Sequence, residues 1–103
     1  MPSEVRFVAG EQAWARIRDG VRKGPAQIAV AWWGTAMSKL LPLKKGSVLV
    51  VRADRVTMEQ GQTNPFELEK LVKRGVRVFP LRNLHAKIFV FSDFAVVGSM
   101  NAS

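Results

Sequence analysis

A histidine and a lysine stand two positions apart near the end of the chain, at His85 and Lys87. The surrounding segment is typical of a β-strand, and residues two apart on a strand project from the same face. The imidazole can attack the phosphorus of a phosphate diester or transfer a proton. The ammonium can neutralise the phosphate oxygens as charge builds on them. His85 and Lys87 are therefore the candidate catalytic pair.

A second predicted strand returns further polar groups to this pair. Ser92 and Asp93 predict a tight turn between two strands, which makes the segment a β-hairpin. Gly98 then falls opposite Lys87, where a glycine lets a substrate oxygen approach the backbone closely. The polar residues that follow, Ser99 and Asn101, offer neutral hydrogen-bond donors near the same strand end. Four polar groups thus converge without a metal-ligand cluster.

The C-terminal segment resembles the signature of the phospholipase D superfamily, which is His-x-Lys, then Asp, then Gly-Ser-x-Asn. The matching residues are His85-Ala86-Lys87, Asp93 and Gly98-Ser99-Met100-Asn101. The resemblance implies a phospholipase D-like layered fold, a nucleophilic His85 that forms a phosphohistidine, and catalytic roles for Lys87 and Asn101. It also implies phosphate binding at Gly98 and Ser99, with no metal and no cofactor. Asp93 stands six residues after Lys87, one more than in the family pattern, so a turn residue is the alternative interpretation.

Active sites of this superfamily combine two copies of the motif, because one histidine attacks while the other protonates the leaving group. This chain contains one histidine. The resemblance therefore implies either a second copy of the chain or a second motif in residues beyond Ser103. A C2 dimer is the economical solution, since its axis creates the second motif. We expect a homodimer.

The charge balance favours a polyanionic partner. Lysine and arginine number 16 against 8 acidic residues, a formal net charge of +8. Such a surface attracts nucleic acid first and anionic phospholipid headgroups second. The candidate nucleic-acid contacts are Lys70, Lys73, Arg74, Arg77 and Arg82. Their alternative interpretation is a solvated helix end, where cations favour the helix dipole.

The tryptophans allow a role in binding or in the core. Trp14 lies on a predicted buried stripe, and Trp32 and Trp33 are adjacent on a predicted strand, so one of them should face each side. An exposed tryptophan offers a stacking surface for bases. Core packing is the commoner role for such residues.

The elements that must position these groups indicate an α/β fold in one domain, residues 1–103. Helices are predicted over 11–21, 35–41 and from Pro65, after the capping residue Asn64. Strands are predicted at 27–33, 47–53, 76–79, 84–91 and 94–98, which gives a mixed, mainly parallel sheet flanked by helices. The strand at 76–79 is expected to be an inner one. The residues predicted to pack in the core include Phe66, Leu68, Leu71, Val72, Ala86, Ile88 and Val90.

Composition excludes several classes of protein. The 103 residues are 48% hydrophobic and include no cysteine, so disulfides and thiolate metal sites are absent. The start of the chain lacks the basic and apolar regions of a signal peptide. The most apolar stretch, 28–41, is shorter than the roughly 20 residues of a spanning helix. We expect a cytoplasmic protein.

Three functions compete at this point. A metal-independent nuclease combines the motif with the positive charge. A lipid phosphodiesterase uses the same motif on phospholipid headgroups, although no amphipathic membrane helix is evident. A non-catalytic module would keep the fold and bind nucleic acid or a partner chain.

Overall fold

The computed structural model describes residues 5–7, 10–85 and 87–98. They form six strands and four helices. The elements in chain order are β1 (Val5–Phe7), α1 (Gly10–Lys23), β2 (Gln27–Val30), α2 (Met37–Leu40), β3 (Val48–Val51), α3 (Arg55–Glu59), α4 (Pro65–Lys73), β4 (Arg77–Pro80), β5 (Lys87–Val90) and β6 (Ala95–Val97). In the described part of the chain, no helix is long and apolar enough to cross a membrane.

The strands form one mixed sheet in the order β1-β6-β5-β2-β3-β4. The pairs β1–β6, β2–β3 and β3–β4 are parallel, whereas β5 runs antiparallel to both β2 and β6. The predicted α/β class, with a mainly parallel mixed sheet and a C-terminal hairpin, is confirmed. The prediction that residues 76–79 form an inner strand is wrong, because β4 is the last strand in the order.

A single apolar core lies between the sheet and the helices. Ile28, Leu49 and Phe89 pair across neighbouring strands, so their side chains share one sheet face, and all three are almost fully buried. Against this face pack Ile17 and Val21 of α1, which lie one helical turn apart. The other helix residues of the core are Met37, Leu68 and Leu71.

The opposite side of the sheet, which we call the open face, carries apolar residues that are only partly buried. They are Ala29, Val48, Val50, Phe79, Ile88 and Val90. Phe79 is 44% exposed and Ile88 is 36% exposed. The prediction that Ile88 and Val90 pack in the core is therefore wrong. The helices cover the face of Phe89 instead, and alternation along β5 places its neighbours on the other side. Ala86, from the same prediction, lies outside the described residues.

Helix α1 approaches the hairpin closely at Gly20. A Cβ atom on this residue would lie 2.6 Å from Cδ1 of the buried Phe91, so no larger side chain fits without movement. The Phe91 ring stacks on that of Phe94 with centroids 4.7 Å apart. The guanidinium of Arg16 lies 4.4 Å from the Phe94 ring centroid. These contacts fix the hairpin turn against the helix layer.

Helix α4 begins and ends as the sequence predicts. Asn64 accepts hydrogen bonds from the backbone N–H groups of Phe66 and Glu67, and Gly75 follows the helix with φ +90°. Its buried side differs from the prediction, because Phe66 and Val72 are 71% and 57% exposed. Leu68, Leu71 and Glu67 are the buried residues. The apolar stripe of α4 that packs against the core is therefore narrower than the number of apolar residues in the helix suggests.

Candidate active site

The β5–β6 hairpin places Gly98, the first residue of the second half of the motif, opposite Lys87. The Phe91 N–H donates to the Phe94 carbonyl oxygen at 2.8 Å and closes the turn. At the other end, the Gly98 N–H donates to the Lys87 carbonyl oxygen at 3.1 Å. The ladder continues the pairing of Ile88 with Val97, so Gly98 lies opposite Lys87 as predicted.

Lys87 lies at the end of the sheet where the parallel strands finish, which we call the carboxyl edge. Val30, Val51 and Pro80 are the last residues of β2, β3 and β4, and all three share one register with Lys87. Because β5 is antiparallel, it starts where they stop. In open α/β sheets, ligands bind outside this edge. The fold therefore places the lysine of the motif at a favourable position for chemistry.

His85 is exposed and precedes β5, rather than lying inside a strand as predicted. Lys87 is half-buried. The histidine therefore stands beyond the carboxyl edge, where solvent and a substrate can reach it. Ser99 and Asn101 lie outside the described residues.

Asp93 lies in the hairpin turn, at the opposite end of β5 from Lys87. The intervening strand of four residues is about 10 Å long between its end residues. The structure therefore does not bring Asp93 to the lysine and the histidine. Its position is that of the turn residue in the alternative interpretation.

The five predicted nucleic-acid contacts do not form one cluster at the carboxyl edge. Arg77 begins β4 and pairs with Val48, about 10 Å along the strands from the register of Lys87. It lies over Phe79, with 5.4 Å from Cζ to the ring centroid. Arg82 follows Leu81, whose N–H donates to the Val51 carbonyl oxygen at 2.9 Å. Of the five residues, Arg82 is thus the one that the backbone pairing places beyond the carboxyl edge.

The other three predicted contacts have partners within the fold. Lys70 Nζ lies 2.9 Å from Glu67 Oε2, and Lys73 Nζ lies 2.9 Å from Glu69 Oε1. Arg74 Nη1 donates to the Ser38 carbonyl oxygen at 3.0 Å. These interactions are typical of a solvated helix end, which is the alternative interpretation from the sequence. The hydrogen bond of Arg74 also links this helix end to α2.

Two charged residues after β3 were not predicted as site residues. Arg52 Nη2 and Asp54 Oδ2 are 3.7 Å apart, and both side chains are largely buried. Asp54 also caps α3 by accepting a hydrogen bond from the Thr57 N–H at 2.9 Å. The Thr57 backbone and side-chain hydrogen bonds hold the pKa of Asp54 below its ordinary value, with added effects from the charges of Arg52 and Arg82. The signal in the sequence was an Arg-x-Asp triplet directly after a buried strand.

The two adjacent tryptophans have different environments. Trp33 is fully buried, with its Nε1–H donating to Ser38 Oγ at 3.3 Å. Its backbone N–H donates to Thr63 Oγ1 at 3.3 Å, and that hydroxyl donates to the Arg52 carbonyl oxygen at 2.7 Å. Trp32 is only half-buried. Trp33 thus belongs to the core, whereas Trp32 presents part of its ring to solvent beyond β2.

The described residues contain no group of three or more His, Cys, Asp or Glu side chains placed to hold a metal ion. Comparisons with known proteins give no family: no family model matches the sequence, and neither a curated protein nor a solved structure matches it. Any assignment of function must therefore come from the residues and geometry of the carboxyl edge itself.

Proposed function

We propose that this chain is a phospholipase D-like phosphodiesterase that cleaves nucleic acid without a metal ion, with His85 as nucleophile. The observation that carries the proposal is the hairpin, which pairs Gly98 with Lys87 at the carboxyl edge, beside the exposed His85. This pairing places Gly98, which begins the Gly-Ser-x-Asn half of the motif, opposite the lysine of the His-x-Lys half. The comparisons supply no support, so the proposal depends on the motif and on this geometry.

In the proposed reaction, an imidazole nitrogen of His85 attacks the phosphorus of the scissile diester. An N–P bond forms and the bond to the leaving oxygen breaks. The Lys87 ammonium neutralises the phosphoryl oxygens in the transition state. A second histidine gives its proton to the leaving oxygen. Water, deprotonated by the same second histidine, then attacks the phosphohistidine and releases a phosphate monoester and free His85.

The second histidine must come from outside this polypeptide's single motif, because the chain has one histidine. A second copy of the chain would supply it across a twofold axis. In such a dimer, two His85 residues would flank one phosphate, and each could serve as nucleophile or as acid. We therefore propose a homodimer as the active species.

Nucleic acid is the proposed substrate because of charge. The formal net charge is +8 for 103 residues, and Arg52 and Arg82 both follow strands that end at the carboxyl edge. A phosphodiester backbone gains affinity from such charges by releasing its counterions. Phospholipid headgroups share the diester chemistry and are tested as the competing substrate.

The test is hydrolysis of bis(p-nitrophenyl) phosphate and of a labelled oligonucleotide in excess EDTA. We expect turnover by the wild type and a loss of at least about 100-fold in His85→Ala, which lacks the nucleophile. Lys87→Ala should also be strongly impaired. Arg77→Ala is the matched control, because it removes a cation at the other end of the sheet, and it should keep wild-type activity on the small diester.

Three results would contradict the proposal. One is cleavage that stops in EDTA, and a second is cleavage that survives in His85→Ala. The third is headgroup release from phosphatidylcholine vesicles with no action on DNA or RNA. Salt-sensitive binding of nucleic acid without turnover would instead support the non-catalytic module.

A further inference from the structure

Four neighbouring strands place a row of chemically distinct side chains beyond the carboxyl edge. The strands β5, β2, β3 and β4 are adjacent in that order. The pairing extends past their ends, because the Arg52 N–H donates to the Ala31 carbonyl oxygen at 3.1 Å and the Leu81 N–H to the Val51 carbonyl oxygen at 2.9 Å. Just beyond this edge, the row consists of His85 before β5, Trp32 after β2, Arg52 after β3 and Arg82 after β4. Arg52 pairs with Ala31 and so lies one residue nearer the edge than Trp32.

Among the described residues, no hydrogen bond depends on the indole of Trp32. Its Nε1 atom is inaccessible to solvent and has no hydrogen-bond partner among the described residues. An unpaired buried N–H destabilises a protein, so a phenylalanine would serve the packing better. Trp32 as a residue is half-buried, and because Nε1 is covered, any side-chain surface that it exposes consists of carbon atoms. What tryptophan adds at this position is a large apolar π-surface just after β2, the strand that pairs with β5.

Arg52 and Arg82 give the middle and far end of the row an excess of positive charge. Arg52 Nε is inaccessible and has no acceptor within the described part of the chain. Arg52 Nη2 lies 3.7 Å from Asp54 Oδ2, which is an ion pair but too long for a hydrogen bond. Asp54 is the carboxylate on which both guanidinium charges act. Arg52 lies beside Asp54 and Arg82 adds a second guanidinium to this part of the row, so the three residues carry a net positive charge, which suits a phosphate.

The spacing of the row decides what kind of ligand fits it. Neighbouring strands lie about 4.8 Å apart, so β3 is about 10 Å and β4 about 14 Å from β5. The strand spacing therefore separates the backbones of Lys87 and Arg52 by about 10 Å. A chain of phosphates can contact them in turn, with a base between them at the level of Trp32.

We propose that Trp32, Arg52 and Arg82 form a nucleotide subsite that selects single-stranded nucleic acid. An unpaired base stacks on Trp32, and the phosphates beside it contact Arg52 and Arg82. In a duplex each base is already stacked between its neighbours, so its face is not available to a side chain. The inference deepens the proposed function, since the strand that occupies this subsite would continue to the scissile phosphate at His85 and Lys87.

The test measures binding separately from cleavage. In a His85→Ala background, fluorescence anisotropy follows a fluorescein-labelled ten-residue oligothymidine and a labelled duplex of the same length. Trp32→Ala should weaken single-strand binding by about tenfold, the loss expected for one stacked base. Trp32→Phe keeps an aromatic face, so its affinity for the single strand should stay within about threefold of that of the His85→Ala parent. Arg82→Ala should weaken binding and lower the salt dependence by about one ion.

Matched controls identify effects of general charge or of folding. Arg77→Ala removes a cation at the opposite end of the sheet, and Phe66→Ala removes an aromatic ring that is 71% exposed on α4. Both should bind like the His85→Ala parent. Arg82 is exposed, so Arg82→Ala should fold normally even if Trp32→Ala does not. Urea unfolding of each variant checks this.

The inference is overturned if Trp32→Ala and Arg82→Ala bind the single strand as tightly as the two controls. The inference is also overturned if Trp32→Ala weakens duplex binding as much as it weakens single-strand binding. A loss of binding to phosphatidylglycerol vesicles equal to the loss of single-strand binding would overturn it as well. These outcomes are independent of catalysis. If bis(p-nitrophenyl) phosphate is not hydrolysed but the single strand depends on Trp32, the proposed reaction fails and the subsite stands.

Discussion

Glu67 is a charged residue on the buried side of α4, where the sequence predicts apolar side chains. Its Oε1 accepts a hydrogen bond from the Ser38 N–H at 3.0 Å, and its Oε2 lies 2.9 Å from Lys70 Nζ. Ser38 Oγ donates to the Glu67 carbonyl oxygen at 3.0 Å. Burial by itself would raise the pKa of Glu67, but the hydrogen bonds from Lys70 and Ser38 outweigh it and leave the pKa below its ordinary value of 4.5. The residue thus joins α4 to α2 as a carboxylate.

Glu67→Gln should destabilise the protein by about 1 kcal/mol at neutral pH, because it keeps an acceptor for Ser38 but loses the charged partner of the exposed Lys70. The folded-state pKa is lowered, so the carboxylate's contribution is present above pH 4.5 and is lost as the pH falls through the folded value. Urea unfolding at pH 7 and at a series of values below pH 4.5 should show the two proteins converging.

The control for this prediction is Glu69→Gln in the same helix. Glu69 pairs with Lys73 at 2.9 Å, but its side chain is 59% exposed. Its replacement should cost less than about 0.5 kcal/mol. If Glu69→Gln costs as much stability as Glu67→Gln, burial of Glu67 is not the cause of its larger effect. The same conclusion follows if the loss of stability in Glu67→Gln does not diminish in acid.

The sequence predicts strand β5 correctly, but it assigns the buried and exposed faces of this strand the wrong way round. Alternating residues of β5 do point to opposite faces of the sheet. The buried face is the one that carries Phe89, and Lys87 lies on this same face. Phe89 packs edge-on against Trp14 of α1, with ring centroids 6.4 Å apart. Ile88 lies on the open face. The lysine therefore projects on the helix side of the sheet, just beyond the end of the core.

Paired substitutions on β5 test this orientation. Phe89→Ala should cost about 3–5 kcal/mol, because it leaves a cavity in a fully packed site. Ile88→Ala should cost about 1 kcal/mol or less, since part of its surface is already in water. Chemical denaturation measures both values. If Phe89→Ala does not yield folded protein, Phe89→Leu replaces it and should still cost more than Ile88→Ala. Equal costs would contradict the assignment of faces.

At the scale of the whole molecule, the single histidine and the positive charge have to be considered together. One motif supplies one imidazole, whereas the proposed reaction uses two. A net charge of +8 on each copy opposes association of two chains. A phosphate chain bound between the two copies would offset this repulsion. We therefore expect nucleic acid to favour the dimer.

Mixing wild type with His85→Ala tests the shared site. After subunit exchange at equal amounts, about a quarter of random dimers carry two histidines and about half carry one. On an oligonucleotide, whose leaving oxygen needs the acid, activity should fall to about a quarter of that of an all-wild-type sample of the same total concentration. An activity of about half would mean that each chain acts alone. Light scattering records the mass with and without oligonucleotide.

Features that depend only on neighbours along the chain could be predicted from the sequence. The cap at Asn64, the stop at Gly75 and the turn at Ser92 and Asp93 are local, because each is fixed by backbone geometry within a few residues. The pairing of Gly98 with Lys87 follows from that turn, since a hairpin's register is set by its loop. The position of Gly98 opposite Lys87 was predictable for this reason.

Which distant groups share an edge or a face of the sheet depends on the strand order and on helix packing. The strand order put β4 at the edge and Arg77 far from Lys87, and it brought Trp32, Arg52 and Arg82 just beyond the ends of three neighbouring strands. The helices covered the face of Phe89 and left Ile88 on the open face. A strand's alternation is symmetric between its two faces, and its place in a sheet is set by contacts between residues remote in sequence. Local patterns therefore predict what each element is, and long-range packing decides what it faces.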